Sequence, residues 1–130
     1  MKFFVDTSAW YAYFDKDDKF NLQAFSFFKK RPQLVTSNVI FFETCALLQR
    51  RLGKSICLKV GDFLKKSRAV EIVSILDEEL DKAWEEFKGI PQEKISLVDI
   101  TNKIICERLG IVEIFAFDRD FKNLGLKLVP

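Results

Sequence analysis

Histidine is absent from this chain of 130 residues, and its absence removes several classes of enzyme. Ser-His-Asp and Cys-His catalysis both need an imidazole to carry a proton, and many zinc sites need one as a ligand. An enzyme built on this sequence must therefore work with carboxylates, Lys, Tyr, Cys or a metal ion held by oxygen atoms.

Cysteine is also scarce, and the three cysteines, Cys45, Cys57 and Cys106, form no CxxC pair. A zinc cluster normally takes four Cys or His ligands, so we expect no zinc cluster in this chain. We expect the thiols to be reduced and buried, where each acts as a small hydrophobic side chain.

Long apolar runs are missing too, since no segment approaches the ~18 apolar residues of a membrane helix. Asp6 also interrupts the N-terminal apolar run before the about 7–15 residues that a signal peptide needs. With 48% hydrophobic and 31% charged residues, the chain can bury a normal core without disulfides. We therefore expect a single domain over residues 1–130, soluble and cytoplasmic, with no membrane partner.

The net charge of +2 neither identifies nor excludes a nucleic-acid-binding protein. Basic clusters around Arg31, Arg51 and Arg68 each close a predicted helix. Positive charge at that end complements the helix dipole, and the same side chains are suited to binding phosphate groups. Both interpretations stay open at the level of sequence.

Apolar runs alternate with helical patterns along the chain, which predicts strands and helices in turn. Strands are predicted at 2–5, 34–36, 70–73, 111–117 and 126–129. Helices are predicted from about residue 9 and at about 22–30, 39–51, 55–66, 77–87 and 96–109, with a short turn or helix at 118–124. This order is typical of a three-layer α/β/α sandwich with a mostly parallel central sheet.

Two predicted strands are followed by a carboxylate in the same way. Asp6 follows Phe4-Val5, and Asp118 follows Ala116-Phe117. If both strands are parallel members of one sheet, the two carboxylates lie at the edge where open α/β sheets bind their ligands. Either aspartate alone is equally well explained as the N-cap of the next helix.

Two further carboxylates stand in apolar helical segments. Glu43 lies between Val39 and Leu48, where a polar stripe is almost absent, so we expect a buried carboxylate that needs compensation. Asp99 has Ser96, Asn102 and Lys103 at helical spacing. This strip predicts either a solvated Asp99–Lys103 pair or a ligand strip in which Ser96 and Asn102 orient the Asp99 carboxylate.

Four carboxylates in one cleft cannot all stay ionised without positive charge nearby. A hard divalent cation supplies that charge, and oxygen ligands without imidazole or thiolate suit Mg²⁺ or Mn²⁺. Such a site suits metal-assisted hydrolysis of a phosphodiester, with one or two metal ions.

The order Asp6-Thr7-Ser8, Glu43, Ser96-x-x-Asp99 and Phe117-Asp118-x-x-Phe121 resembles that of PIN-domain proteins. More narrowly, it is similar to the VapC-type toxins of bacterial and archaeal toxin–antitoxin pairs, and the resemblance covers essentially the whole chain. It implies a PIN-like fold and an endoribonuclease that depends on Mg²⁺ or Mn²⁺ and cleaves single-stranded or structured RNA. It also implies a homodimer held inactive by a cognate antitoxin.

The resemblance assigns catalytic and metal-binding roles to Asp6, Glu43, Asp99 and Asp118. Supporting roles fall to other polar residues near these positions: Ser8, Ser96, Asn102 and Asp120. One position departs from the family pattern, because many relatives carry Thr or Ser two residues before the last aspartate, where this chain has Ala116. Asp120 is a second candidate for the last ligand, and we prefer Asp118 because it directly follows the predicted strand.

Other functions remain compatible with the same residues. A housekeeping RNA-processing PIN nuclease would use the same site, and a small antitoxin reading frame directly upstream would favour the toxin. A catalytically silent PIN-like module that binds RNA or protein is a further alternative, to which Ala116 gives some support. A phospho-accepting receiver domain would need an acidic pair after the first strand, which Asp6-Thr7-Ser8 does not provide.

An aromatic cluster follows the first carboxylate, at Trp10, Tyr11, Tyr13 and Phe14. It predicts either a helix that packs on the sheet or a groove for an antitoxin helix or for stacked bases.

Overall fold

The fold is known from a computed structural model, which describes residues 2–130. Its centre is a five-stranded, fully parallel sheet in the order β3-β2-β1-β4-β5. The strands are β1 (Lys2–Val5), β2 (Gln33–Ser37), β3 (Val70–Val73), β4 (Glu113–Phe115) and β5 (Lys127–Val129). The predicted α/β class with a mostly parallel sheet is confirmed.

The helices connect these strands. They are α1 (Thr7–Phe14), α2 (Asn21–Lys29), α3 (Asn38–Leu52), α4 (Lys54–Lys66), α5 (Asp77–Gly89) and α6 (Leu97–Leu109), with a 3₁₀ helix at Arg119–Leu124. From β1 the chain steps outward to β2 and then to β3 before it returns across the sheet to β4. Since parallel crossovers are right-handed, the helices before β3 cover one face, and α5 and α6 cover the other.

The return to β4 places the reversal of strand order between β1 and β4. Val5 is paired with Phe115 across these two strands, so their carboxyl ends lie side by side. A crevice forms at such a reversal because the loops that leave the two strands turn to opposite faces of the sheet. The fold thus prepares a binding site immediately after Val5 and Phe115.

The predicted elements are confirmed with shifts at their ends. The strand predicted at 111–117 is shorter at both ends, because the Ile111 N–H donates to the Cys106 carbonyl of α6 and the Phe117 N–H donates to the Ser8 hydroxyl, and neither donates to a strand. Helix α1 begins at Thr7, two residues early, because Asp6 caps it. Gly110 ends α6 in the left-handed conformation, at φ 67°, which glycine adopts without steric cost.

The aromatic cluster belongs mainly to the core. Trp10 is 1% exposed, its ring stacks on Phe28 at 5.2 Å, and its indole N–H donates to the Thr36 hydroxyl at 3.4 Å. Trp10 therefore packs in the core, and it also lines a cavity of about 210 Å³ with Tyr13 and Phe63, so a role of this cluster as a groove for a partner stays a prediction. Tyr11 is also buried, with its hydroxyl on Asp15 at 2.6 Å.

The three cysteines are unpaired thiols among the described residues. Cys106 is buried as predicted, whereas Cys45 and Cys57 are only partly buried, between α3 and α4. Across residues 2–130, no helix combines the length and the apolar character that crossing a lipid bilayer requires.

Candidate active site

The four carboxylates predicted for the site line one cleft of about 400 Å³ at the carboxyl edge of the sheet. Asp6 follows β1, Glu43 lies on α3, Asp99 lies in the first turn of α6, and Asp118 precedes the 3₁₀ helix. Four separate elements therefore deliver one acidic group each to the same place.

Two of these aspartates are also N-caps, as the simpler interpretation predicted. Asp6 caps α1 by accepting from the N–H of Ser8, and Asp118 caps the 3₁₀ helix by accepting from the N–H of Asp120. The argument that Asp118 directly follows its strand is wrong, because Ala116 and Phe117 lie between Asp118 and the end of β4. An aspartate can cap a helix and also line the cleft, because capping leaves other lone pairs of its carboxylate oxygens free to accept further contacts.

Asp6 is the most enclosed of the four carboxylates, with 6% of its surface exposed. Its Oδ1 accepts from the side-chain amide of Asn102 at 3.0 Å, and its Oδ2 accepts from the Ser8 hydroxyl at 2.9 Å. The prediction that Asn102 orients Asp99 is wrong, because its amide group turns to the sheet edge and binds Asp6. These donors fix the carboxylate in one orientation.

Ser8 links the two strand ends. Its hydroxyl donates to Asp6 and accepts from the backbone N–H of Phe117 at 3.1 Å, one residue before Asp118. Ala116, where many relatives carry a hydroxyl, is 2% exposed and packs in the core. Ser8 therefore supplies a hydroxyl contact on this side of the site in the absence of one at position 116.

Glu43 is exposed, which overturns the expectation of a buried carboxylate on α3. The apolar residues around it misled that expectation because α3 buries only some of them: Ile40 and Leu48 are fully buried, whereas Phe42 shows 70% of its surface. Glu43 accepts a hydrogen bond from the hydroxyl of Thr7, which in turn accepts from Thr44 at 3.4 Å. This chain of hydroxyls ties α1 to α3 beside the cleft.

Asp99 and Ser96 form a capping box at the start of α6. The Ser96 N–H donates to Asp99 Oδ2 at 2.9 Å, and the Asp99 N–H donates to the Ser96 hydroxyl at 3.1 Å. The alternative Asp99–Lys103 pair is wrong, because the Lys103 ammonium lies 3.0 Å from Glu86. Asp99 therefore faces the cleft without a lysine partner on its own helix.

Asp118 rather than Asp120 reaches the cleft. Asp120 contributes its backbone N–H, which donates to Asp118 Oδ1 at 2.9 Å. The supporting role of Asp120 as a second candidate for the last ligand stays a prediction, because its carboxylate is partly buried outside the cleft and its main-chain contact does not depend on the side chain.

Burial and crowding disfavour the ionised form of these groups. Desolvation, with help from the Asp6 and Asp118 charges, raises the pKa of Asp99 to about 6. Desolvation also raises the pKa of Asp6, with a smaller contribution from Glu43, while its hydrogen bonds from Ser8 oppose the rise. The pKa of Asp118 is raised by desolvation and by the nearby Asp120 charge. The cleft therefore favours a bound positive charge.

The donor set fits a hard divalent cation, since carboxylate and hydroxyl oxygens line the cleft without thiol or imidazole. As the side chains stand, no three acidic or thiol groups within residues 2–130 converge closely enough to hold one ion. Binding a cation therefore calls for side-chain rotation, most readily at exposed Glu43 and at half-buried Asp99 and Asp118.

Sequence reasoning did not single out two basic residues of the cleft, Arg50 and Lys94. Both are exposed, and neither forms an ion pair within 4 Å with any of the described cleft carboxylates. Arg50 belongs to a basic cluster for which phosphate binding stayed open. Lys94 lies in the loop before α6, where no periodic pattern indicates which side chains face the cleft. Thr7 was likewise overlooked as the donor to Glu43.

Comparison with protein families places these features in a known group. The family profile described as PIN domain matches residues 3–127 of the chain. The chain is 31% identical over 123 residues to the 23S rRNA-specific endonuclease VapC20 of Mycobacterium tuberculosis, recorded for two strains. The match covers 94% of this chain and 93% of that protein.

Solved structures agree with this assignment. The crystal structure of M. tuberculosis VapC20, described as a sarcin–ricin loop cleaving toxin, superposes with a TM-score of 0.89 at 29% identity and covers 95% of both chains. The structure of PAE2754 from Pyrobaculum aerophilum gives a TM-score of 0.62 at 20% identity, over 99% of this chain and 90% of that one, and shares the fold alone.

Proposed function

The chain belongs to the PIN-domain family, and from this premise we propose that it is an endoribonuclease that hydrolyses RNA phosphodiester bonds with a divalent metal ion. The observation that carries the proposal is the single cleft lined by Asp6, Glu43, Asp99 and Asp118. The pKa values of Asp6, Asp99 and Asp118 are raised, and the capping roles of these three residues do not explain why four acidic groups on four elements line one cleft. A cation-assisted reaction on an anionic substrate explains it.

We assign the metal, Mg²⁺ or Mn²⁺, to these four carboxylates as its protein ligands. When bound, the ion supplies an activated water at neutral pH and neutralises charge on the phosphate in the transition state. Ser8 and Asn102 hold the Asp6 carboxylate in a fixed orientation, and the backbone N–H of Ser96 does the same for the Asp99 carboxylate. Such partners of metal ligands commonly change metal affinity or activity by about 10–100-fold when removed.

Arg50 and Lys94 give the cleft its attraction for RNA. A cleft with only carboxylates would repel the phosphate backbone of RNA. The positive charges of Arg50 and Lys94 counter this repulsion. Arg50 lies in the last turn of α3, and Lys94 lies just before α6, so they reach the cleft from different elements. Their place suits contacts to phosphates next to the cleaved bond.

The biological role that we propose is that of a VapC-type toxin. The similarity to VapC20 runs over nearly the whole of both chains, and residues 1–130 would form one PIN-like nuclease domain. In this role the protein would act in the cytoplasm as a homodimer and would be held inactive by a cognate antitoxin protein. A loop of 23S rRNA is the first substrate to test, because VapC20 is specific for 23S rRNA.

The test is cleavage of a panel of RNAs by the purified protein, including a sarcin–ricin loop oligonucleotide and unrelated single strands. Each reaction is run with Mg²⁺, with Mn²⁺ and with EDTA, beside the Asp6→Asn variant. We expect cleavage with metal and none with EDTA or with the variant. Cleavage that persists in Asp6→Asn would refute the carboxylate mechanism, and the absence of a small upstream reading frame would favour an RNA-processing nuclease.

A further inference from the structure

A second groove, of about 320 Å³, opens directly beside the acidic cleft. It shares Ser8, Leu47 and Asp118 with the cleft, so the two form one continuous surface. Its remaining walls differ in chemistry, because aromatic rings and cations replace the carboxylates there. A polymeric ligand bound in the cleft at Asp118 would therefore extend into this groove with its neighbouring monomer.

The floor of this groove is a pair of parallel rings. Phe20 and Phe117 are stacked with centroids 4.5 Å apart and an angle of 1° between their planes. Both rings are only partly buried. A partly exposed flat ring supported from behind by a second ring is a surface on which a nucleobase stacks, whatever its identity.

The ring platform is held in place by the backbone around it. The Phe20 N–H donates to Asp18 at 2.8 Å, and the amide of Asn21 donates to the carbonyl of Ala12 at 2.8 Å, which anchors the loop before α2. On the other side, the Phe117 N–H is bound to the Ser8 hydroxyl. The platform and the Asp6 carboxylate are therefore separated only by Ser8, which touches both.

Two cations line the groove, one of them over the platform. The Lys19 ammonium lies 5.0 Å from the centre of the Phe20 ring, and the Arg51 guanidinium lies 5.1 Å from the centre of the Tyr11 ring. Lys19 is exposed on a flexible stem, so a base can take its place over Phe20 while the ammonium moves to a phosphate. The groove's one acid besides Asp118 is Asp18, whose Oδ1 is engaged by the Phe20 N–H.

We propose that this groove binds the nucleotide adjacent to the cleaved bond, with its base stacked on Phe20 and its phosphate held by Lys19 and Arg51. The inference rests on the proposed ribonuclease function and adds a substrate-positioning subsite to it. Stacking favours any unpaired base, so the subsite selects a nucleotide that is free to leave a helix.

A nucleotide fits these features better than a protein segment does. An apolar helix would cover the rings but leave Lys19 and Arg51 without partners, and an acidic peptide would bind the cations but not need the ring face. A nucleotide uses both, since it carries a flat base and a phosphate within one unit. Because the groove is continuous with the acidic cleft, a nucleotide bound in the groove would place the next phosphate of the RNA near Asp118.

The test measures RNA affinity in the Asp99→Asn background, which prevents turnover, by fluorescence anisotropy with a single-stranded RNA that the wild-type enzyme cleaves. We expect Phe20→Leu to weaken binding about 10-fold, as for the loss of one stacked base. Phe25→Leu is the matched control, because Phe25 is 53% exposed on α2 outside the groove, and it should bind as the wild type does. Lys19→Ala serves as a second variant that leaves the ring packing intact.

An abasic substrate locates the contact. Replacing single nucleotides near the cleaved bond by abasic sites should weaken the wild type at one position, and Phe20→Leu should be insensitive at that position. The same variant in the active enzyme should raise KM with little change in kcat. Unchanged affinity in both Phe20→Leu and Lys19→Ala, from an enzyme that still cleaves RNA, would overturn the subsite and leave the nuclease standing. A wild type that neither binds nor cleaves RNA would overturn both.

Discussion

The side-chain amide of Asn102 donates to the carboxylate of Asp6 across 96 positions of the chain, at 3.0 Å. Asn102 is fully buried in α6, and its own amide oxygen has no hydrogen-bond partner among residues 2–130. Burying an amide oxygen without a hydrogen-bond partner costs stability. This indicates that Asn102 is retained for the hydrogen bond that its NH2 group donates to Asp6. This hydrogen bond joins the residue that follows the central strand β1 to α6, the helix that carries Asp99.

Removing this amide gives the first prediction. Asn102→Ala should lower kcat about 10–100-fold, because Asp6 loses the donor that orients it. The loss also removes a hydrogen bond to the charged form of Asp6, so its pKa should rise further and the acidic limb of the pH–rate profile should shift to higher pH. Steady-state kinetics across pH measures both effects.

A purely structural role for Asn102 would give a different result. The Ala variant would then lose free energy of unfolding, and its pH–rate profile would keep the wild-type shape. Thr101→Ala is a suitable control on the next position of α6, because the Thr101 hydroxyl donates to the Val98 carbonyl in the same helix and not to the cleft.

The second prediction separates two neighbouring aspartates. Asp118→Asn should reduce RNA cleavage by at least about 100-fold, because it removes a charged ligand from the cleft. Asp120→Asn should stay within about 3-fold of the wild type, since position 120 contributes its backbone N–H, which the substitution retains. Equal losses in the two variants, measured under single-turnover conditions, would contradict this assignment.

The third prediction concerns stability against pH in EDTA. The pKa of Asp99 is raised to about 6 in the folded protein, from about 3.9 in an unfolded chain. The folded state binds this proton more tightly, so the contribution of Asp99 to stability is fully present below about pH 4 and is lost as the pH rises through 6. Asp99→Asn should therefore be more stable than the wild type at pH 8, by about 1 kcal/mol after allowance for solvent screening.

The same comparison at pH 4 should show almost no difference, because the wild-type carboxyl is then neutral as well. Urea unfolding followed by circular dichroism gives both values. A stability gain of equal size at pH 4 and pH 8 would show that the effect arises from packing and not from charge.

The fourth prediction tests the core assignment of Trp10. Trp10→Ala should cost about 3–5 kcal/mol of unfolding free energy, because a fully enclosed indole and its hydrogen bond to Thr36 are removed. Trp84→Ala is the matched control, since Trp84 is 50% exposed on α5, and it should cost less than about 1 kcal/mol. Comparable costs in urea unfolding would contradict the burial described here.

The fold could be predicted from sequence because its signals are local. Apolar strands such as Phe3-Phe4-Val5, the Ser96 cap and the Gly53 and Gly110 stops each act within a few residues. The strand predicted at 111–117 was too long in part because the Phe117 N–H is bound by Ser8, a residue more than one hundred positions away. Element types follow from nearby residues, whereas element ends depend on tertiary contacts.

The residues around the cleft divide in the same way. Asp6 and Asp118 could be proposed because they follow apolar runs, and Asp99 because Ser96 and Asn102 lie at helical spacing from it. The partner of Asn102 could not, since its helical spacing points equally well to Asp99. Glu43 was expected to be buried because apolar neighbours usually mean burial, but α3 leaves Glu43 exposed beside Phe42 while Ile40 and Leu48 lie in the core. Lys94 lies in a loop, where no helical or strand periodicity predicts which side chains face the cleft.

The place of β4 in the sheet has a consequence for biosynthesis. Asp6 and Asp118 come from opposite ends of the chain, yet β1 and β4 are neighbours, and β4 is bordered by β5 at Lys127–Val129. During synthesis, therefore, the cleft cannot receive its fourth carboxylate until the ribosome has released the segment that contains Asp118. A chain that stops before β4 would lack both Asp118 and the strand that lies beside β1.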